Sequence, residues 1–138
     1  MHVTGLITEY NPFHNGHLFH IRRAREVAGA DFLIVLMSGS FVQRGAPAIF
    51  DKYSRARAAL LCGADVVAEM PVTFSTASAR EFASYGIALF TALGAVDSIC
   101  FGSECGEIGP LFQTARLLVQ EPEGFKDDLD NAFHQGKT

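Results

Sequence analysis

The sequence predicts an α/β fold, a doubly wound parallel sheet, and three features carry that prediction. β-prone and helix-periodic segments alternate from Val3 to Val119, with a helix's length between successive strands. That order calls for right-handed crossovers and parallel strands. The run Phe32-Leu33-Ile34-Val35-Leu36-Met37 is apolar without alternation, as expected of a strand buried on both faces. Each strand is closed by a chain breaker, in turn Pro12, Gly39, Pro71 and Gly102.

Val3 to Thr8 reads as the first strand, stopped by Pro12, which pushes Asn11 toward extended geometry. A helix starts near Gly16, with Ile21, Ala24, Val27 and Ala28 on one face and Gly29 as its stop. After the apolar strand, residues 38–50 form a loop containing Gly39, Gly45 and Pro47. Asp51 caps the next helix, where Tyr53, Ala56, Ala59 and Leu60 recur at helical spacing. Arg55 and Arg57 on that helix read as charges that keep it soluble. Asp65 to Met70 is a third strand, and Ala77 to Leu93 the longest helix, with Phe82, Leu89, Phe90 and Leu93 as its stripe. Asp97 to Phe101 is a fourth strand, followed by a turn and a helix near 111–119. Ligands of such sheets bind beyond the carboxyl ends of the strands. Loops 8–16, 38–50, 70–76 and 102–108 are therefore expected along one rim.

With 138 residues, 49% of them hydrophobic and 19% charged, the chain has one domain's worth of core and needs no disulfide or metal staple. Net charge is −4, the wrong sign for a general nucleic-acid-binding module. Residues 121–138 hold five acids and two bases. The reading is therefore a domain over 1–120 and an acidic helical tail over 121–138, with Phe125, Leu129, Ala132 and Phe133 as its apolar face. Cys62, Cys100 and Cys105 make neither a CxxC pair nor an even framework, and read as small buried residues. The amino terminus lacks the basic, apolar pattern of a signal peptide. No apolar run reaches the roughly 20 residues of a membrane span. A soluble, cytoplasmic chain without a membrane partner is the expectation; nothing in the sequence fixes an oligomeric state.

The chemistry concentrates in Glu9-Tyr10-Asn11-Pro12-Phe13-His14-Asn15-Gly16-His17, a strand-to-helix junction. First-turn N–H groups lack partners there, and the helix dipole adds partial positive charge, which suits an anion. His14 and His17 are three apart, so one helical turn can aim both imidazoles at one phosphate. Gly16 between them leaves the backbone open to a base or ribose. Imidazole donors placed where charge develops on an α-phosphate would speed nucleotidyl transfer electrostatically, which makes His14 and His17 the catalytic candidates. A capping or core role is the plainer alternative. A metal site from His14, His17 and His20 is disfavoured, because positions i, i+3 and i+6 drift round the helix axis and no carboxylate adjoins them; no metal ligand is assigned.

His-x-Gly-His resembles the signature of the nucleotidyltransferase superfamily that includes class I aminoacyl-tRNA synthetases. The longer strings Ile7 to His17, Met37 to Ala48, Gly63-Ala64-Asp65-Val66-Val67 and Phe101-Gly102-Ser103-Glu104 resemble the bacterial tRNA(Met) cytidine acetate ligase family, from Val3 to about Ile108. Ser40 stands where asparagine is expected, and Met70-Pro71 where Leu-Pro is usual. The resemblance implies a Rossmann-like nucleotidyltransferase fold of the HUP type. It also implies activation of acetate by ATP, with Mg2+, to acetyl-adenylate, and acetylation of N4 of the wobble cytidine of elongator tRNA(Met). By position it implies ATP contacts from Ile7, Thr8, Glu9, Tyr10, Asn11, Pro12, Phe13, His14, Asn15, Gly16, His17, Leu18, Phe19 and His20, and from Gly102. Family members are about three times longer, so the chain reads as an amino-terminal portion and the tail as the start of a further region. The rival readings are a small-metabolite adenylyltransferase and a catalytically silent nucleotide-binding fragment.

Arg44 and Lys52, in or just after the second rim loop, are candidates for a phosphate or tRNA-backbone contact, against the alternative of solvated charge. Glu9 can order a ribose or a magnesium-bound water, or cap the first helical turn. Glu104 poses the same question. Tyr10 and Phe13 read as pocket walls.

Overall fold

A computed structural model describes residues 1–103 and 106–136. Glu104 and Cys105 lie outside the described residues. The chain divides into two compact units, Met1–Gly102 and Ser103–Thr138, whereas the shift in composition falls at 120/121.

The first unit is a four-stranded sheet in the order β3-β2-β1-β4, with β1 Val3–Thr8, β2 Phe32–Ser38, β3 Val66–Met70 and β4 Ser98–Ile99. All pairings are parallel. Val3 faces Phe32 and Thr8 faces Met37, Ile34 faces Val66 and Ser38 faces Met70, and Thr4 faces Ser98. The predicted alternation of strand and helix is thus present, with all strand carboxyl ends on one edge. Helices α1 Asn15–Ala28, α2 Lys52–Leu61, α3 Val72–Ser75 and α4 Ala79–Leu93 connect the strands.

The unbroken apolar run of β2 is explained by two cores. Leu33, Val35 and Met37 pack with Leu6, Ile21, Ala24 and Ala59 on the α1–α2 side. Leu36 joins Met70, Phe82 and Phe90, with Ile34 and Ile7 packed against them, on the α4 side. Helix α4 approaches β1 closely through two glycines. A Cβ on Gly5 would lie 2.7 Å from the Phe90 ring, and one on Gly86 would lie 2.5 Å from Ile7 Cδ1.

The caps expected at Asp51 and Gly29 are present, and a third was not anticipated. Asp51 accepts from the N–H groups of Tyr53 and Ser54 at the start of α2. Ser78 and Glu81 form a capping box on α4, and Gly29 ends α1 in the left-handed region at φ 60°.

Three expectations need correction. The fourth strand was expected over 97–101, but its ladder covers only Ser98–Ile99. It pairs with β1 alone, and its flanks are held by single bonds, Asp97 N–H to Val3 O and Cys100 N–H to Gly5 O. The third rim segment is not all loop, since Pro71 sets up the single turn α3. Arg55 is not a solubilising surface charge; it is 1% exposed, on the same inward face as Ala59. Arg57 is exposed. Cys62 and Cys100 are half-buried free thiols.

The second unit consists of α5 Ile108–Gln120 and α6 Phe125–His134. The turn between them carries a Lys126–Glu121 ion pair of 3.1 Å. Among the described residues no helix is long and apolar enough to cross a membrane.

Candidate active site

At the carboxyl edge of β1 the chain turns sharply into α1. Tyr10 takes a left-handed backbone, φ 50°, and the Asn11–Pro12 peptide is cis. The turn drives the Tyr10 ring into the core, where it is 1% exposed. Phe13 meets Tyr10 edge-on at 4.9 Å, and His17 meets Tyr10 at 4.8 Å and Phe13 at 5.6 Å. The aromatic group thus forms both a wall and a plug. Burial pushes the Tyr10 hydroxyl up to about 12, so it stays protonated at neutral pH.

The two histidines cap the helix that carries them. His14 Nδ1 accepts from Gly16 N–H at 3.0 Å, and His17 Nδ1 accepts from His14 N–H at 3.3 Å. Their rings stack with centroids 3.8 Å apart and planes 29° from parallel. Since an accepting ring nitrogen carries no proton, both imidazoles carry theirs on Nε2. The capping reading and the donor reading are therefore compatible: one nitrogen holds the helix and the other is a donor. Burial, then the His14 and His20 imidazoles, lowers the His17 pKa below its usual value. Burial also lowers that of His20. The neutral forms of His17 and His20 are favoured.

The expectation for Gly16 changes in kind. A Cβ there would lie 2.8 Å from the His14 ring. The missing side chain makes room for the capping imidazole, which covers the space expected for a base or ribose.

A cleft of about 360 Å3 opens over this junction, lined by Ile7, Thr8, Glu9, Tyr10, Asn11, Pro12, His14, His17 and His20. Of the other residues named from sequence, Phe13 supports it from behind, Leu18 is half-buried, and Asn15, Gly16 and Phe19 are exposed on α1. Gly102 is exposed and does not line the cleft. A Cβ added there would meet nothing within 4 Å.

The second rim loop is laced to the first. Glu9 Oε1 accepts from Gln43 N–H at 2.7 Å, and Asn11 Oδ1 accepts from Ile49 N–H at 2.7 Å. Glu9 therefore does not cap α1; it anchors the 38–50 loop. Ser75 Oγ donates to Phe41 O at 3.0 Å and ties in the third rim segment. Arg44 is exposed, at φ 65° in a short 3-10 turn. Lys52 Nζ lies 2.6 Å from Glu69 Oε2, so any phosphate contact by Lys52 competes with that carboxylate.

Arg55 is the rim residue that sequence reasoning missed. Its Nε donates to Phe50 O at 3.0 Å, and its terminal nitrogens donate to Glu9 O at 2.6 Å, Ser38 O at 3.1 Å and Gly39 O. Burial lowers the guanidinium's pKa, opposed by the carboxylates of Asp51, Glu9 and Glu69. A signal existed, because Arg55 stands four residues before inward-facing Ala59.

The HIGH Nucleotidyl Transferase family model matches residues 1–138. A tRNA(Met) cytidine acetate ligase of Clostridium tetani is 47% identical over 136 residues, 99% of this chain and 34% of the relative. One from Syntrophotalea carbinolica is 57% identical over 120 residues, 87% of this chain and 28% of the relative. A crystal structure of Thermotoga maritima TmcAL bound with alpha-thio ATP superposes with a TM-score of 0.86 at 44% identity, covering 100% of this chain and 34% of that one. The chain thus spans about a third of the length of the curated relatives it matches. On a family match running from its first residue to its last, with His14-Asn15-Gly16-His17 opening α1, the chain belongs to the HIGH nucleotidyl transferase family.

Proposed function

We propose that this chain is the ATP-binding part of an enzyme that activates acetate and transfers the acetyl group to N4 of the wobble cytidine of elongator tRNA(Met). One observation carries the reading most directly: two stacked imidazoles, each accepting a main-chain N–H on Nδ1 and so leaving Nε2 to donate, stand at the amino end of α1, at the edge of a cleft. The names of the curated relatives and the alpha-thio ATP of the Thermotoga structure support the choice of ligand.

In the proposed reaction an acetate oxygen attacks the α-phosphorus of ATP in line. A bond forms between that oxygen and phosphorus, the bond to the β-phosphate breaks, and pyrophosphate leaves. Charge grows on the phosphoryl oxygens. The His14 and His17 Nε2–H groups meet that charge without reorganising, because the Nδ1 atoms that cap α1 hold both rings in place. The N4 amine of the tRNA cytidine then takes the acetyl group, and AMP leaves. Mg2+ would travel on the triphosphate, and of the nearby Glu9 carboxylate one oxygen is engaged by Gln43 N–H. Among the described residues no cluster of three His, Cys, Asp or Glu side chains could hold a metal ion.

Exchange of labelled pyrophosphate into ATP by the full-length protein tests the reading. Exchange that depends on acetate is expected. Exchange that requires a phosphorylated metabolite instead would mark a small-metabolite adenylyltransferase and contradict it.

A further inference from the structure

A buried arginine without a carboxylate partner needs explaining. Arg55 is 1% exposed, and no ion pair within 4 Å joins it to an acid among the described residues. Taking a guanidinium out of water is costly unless its donors are met in good geometry. Here they are met by four main-chain carbonyls: Glu9 beyond β1, Ser38 and Gly39 at the end of β2, and Phe50 just before α2. A carboxylate would have satisfied the charge locally. Four carbonyls from three segments instead fix the distances between those segments.

The three segments bear on the cleft. Glu9 lies five residues before His14, and its own carboxylate holds Gln43 N–H at 2.7 Å. The loop Asn11 accepts from Ile49 N–H at 2.7 Å. A guanidinium is a flat, forked donor, whereas a lysine ammonium is a point charge that cannot reach the same four acceptors.

We propose that Arg55 is a positioning residue for adenylate formation: by clamping the carbonyls of Glu9, Ser38, Gly39 and Phe50 it holds the His14–His17 turn in register with the 38–50 loop. The clamp acts through the His14 and His17 imidazoles, not on substrate, and the proposal rests on the adenylate-forming reading above. A misplacement of about 1 Å at a reacting group can cost about 10²-fold in rate while binding survives.

The test uses the full-length protein with Arg55→Lys, His17→Ala and the double variant, each measured for acetate-dependent pyrophosphate exchange and for its thermal transition. Arg55→Lys is expected to unfold cooperatively, to lower kcat by about 10- to 100-fold and to change the KM for ATP less than about threefold. In the His17→Ala background the same Arg55→Lys change is expected to cost less than in wild type, because one of the two groups it positions is already gone. Full kcat in Arg55→Lys, or losses that multiply in the double variant, would overturn the proposal. A lower melting temperature with unchanged kcat would also overturn it, by making Arg55 purely structural. If Arg55→Lys fails to fold, Arg55→Gln, a neutral donor, takes its place under the same criteria. Wild-type protein without acetate-dependent exchange would instead contradict the functional reading, and this proposal with it.

Discussion

His14 and His17 stack in one shared tautomer: their ring centroids are 3.8 Å apart, and the Nδ1 atom of each accepts a main-chain N–H, from Gly16 and from His14 respectively. Losing either ring should therefore have two separable effects. His14→Ala and His17→Ala each remove one half of the cap, at about 1 kcal/mol of stability apiece. Both should lose about 10²–10³-fold in kcat for pyrophosphate exchange, the usual scale for one well-placed donor. Urea denaturation beside the exchange assay separates the effects. Equal kcat in His17→Ala and wild type would remove His17 from the chemistry.

Neutral histidines also give the fold a pH dependence. The His17 and His20 pKa values are lowered in the folded chain, while an unfolded histidine titrates near 6.5. Between the lowered values and about pH 6.5 the unfolded state binds more protons, so stability rises with pH across that window. It is complete above about 6.5 and falls as the solution is acidified toward the folded values. Melting temperatures at pH 7.5 and 5.5 should differ more for wild type than for a His17→Asn, His20→Asn variant. An identical difference in the two proteins would contradict the neutral-ring assignment.

Glu9 makes a different kind of prediction, because its carboxylate bonds the main chain of another loop. Glu9→Ala should release Gln43 N–H, cost about 1–3 kcal/mol and speed hydrogen exchange at Gln43. Glu9→Gln keeps an acceptor oxygen and should retain most of the protection. Unchanged exchange at Gln43 in Glu9→Ala would show that the loop is held by other bonds.

The α4–β1 contact can be tested by volume. Gly86→Ala places a methyl 2.5 Å from Ile7 Cδ1, and overpacking of this sort costs about 1–3 kcal/mol. Adding Ile7→Val should recover part of the loss in chemical denaturation. No loss in Gly86→Ala would mean that the helix shifts freely away from the sheet.

Much of this was legible in the residues. The apolar run of β2 announced a strand buried on both faces, and the breakers at Pro12, Gly39 and Pro71 placed the loops on one rim. Asp51 and Gly29 showed where helices begin and end, because caps are local chemistry. What stayed hidden was long-range. Arg55 looked like a solvated charge because its four acceptors are main-chain carbonyls, which have no sequence signature. The Glu9 bond spans 34 residues, and the loop conformation that brings Gln43 to it follows from tertiary contacts. The packing around Gly16 is hidden for the opposite reason: its near neighbour is the His14 ring two residues away, and only the ring's rotamer reveals it. The two-residue β4 is shorter than its pattern suggests, and its flanks are held by single bonds to Val3 and Gly5 that the pattern does not reveal.

In the proposed reaction His14 and His17 present Nε2–H groups to the phosphates of ATP. Long-range ¹H–¹⁵N spectra of this chain with labelled histidine, recorded during titration with Mg2+ and ATP, test it most directly. Before ATP is added, both residues should show the pattern of a proton on Nε2 and none on Nδ1. Saturating ATP should then shift the Nε2 signals of His14 and His17, while those of His2 and His134 stay in place. A starting pattern with protonated Nδ1, or ATP binding that leaves both Nε2 signals unmoved, would contradict the account.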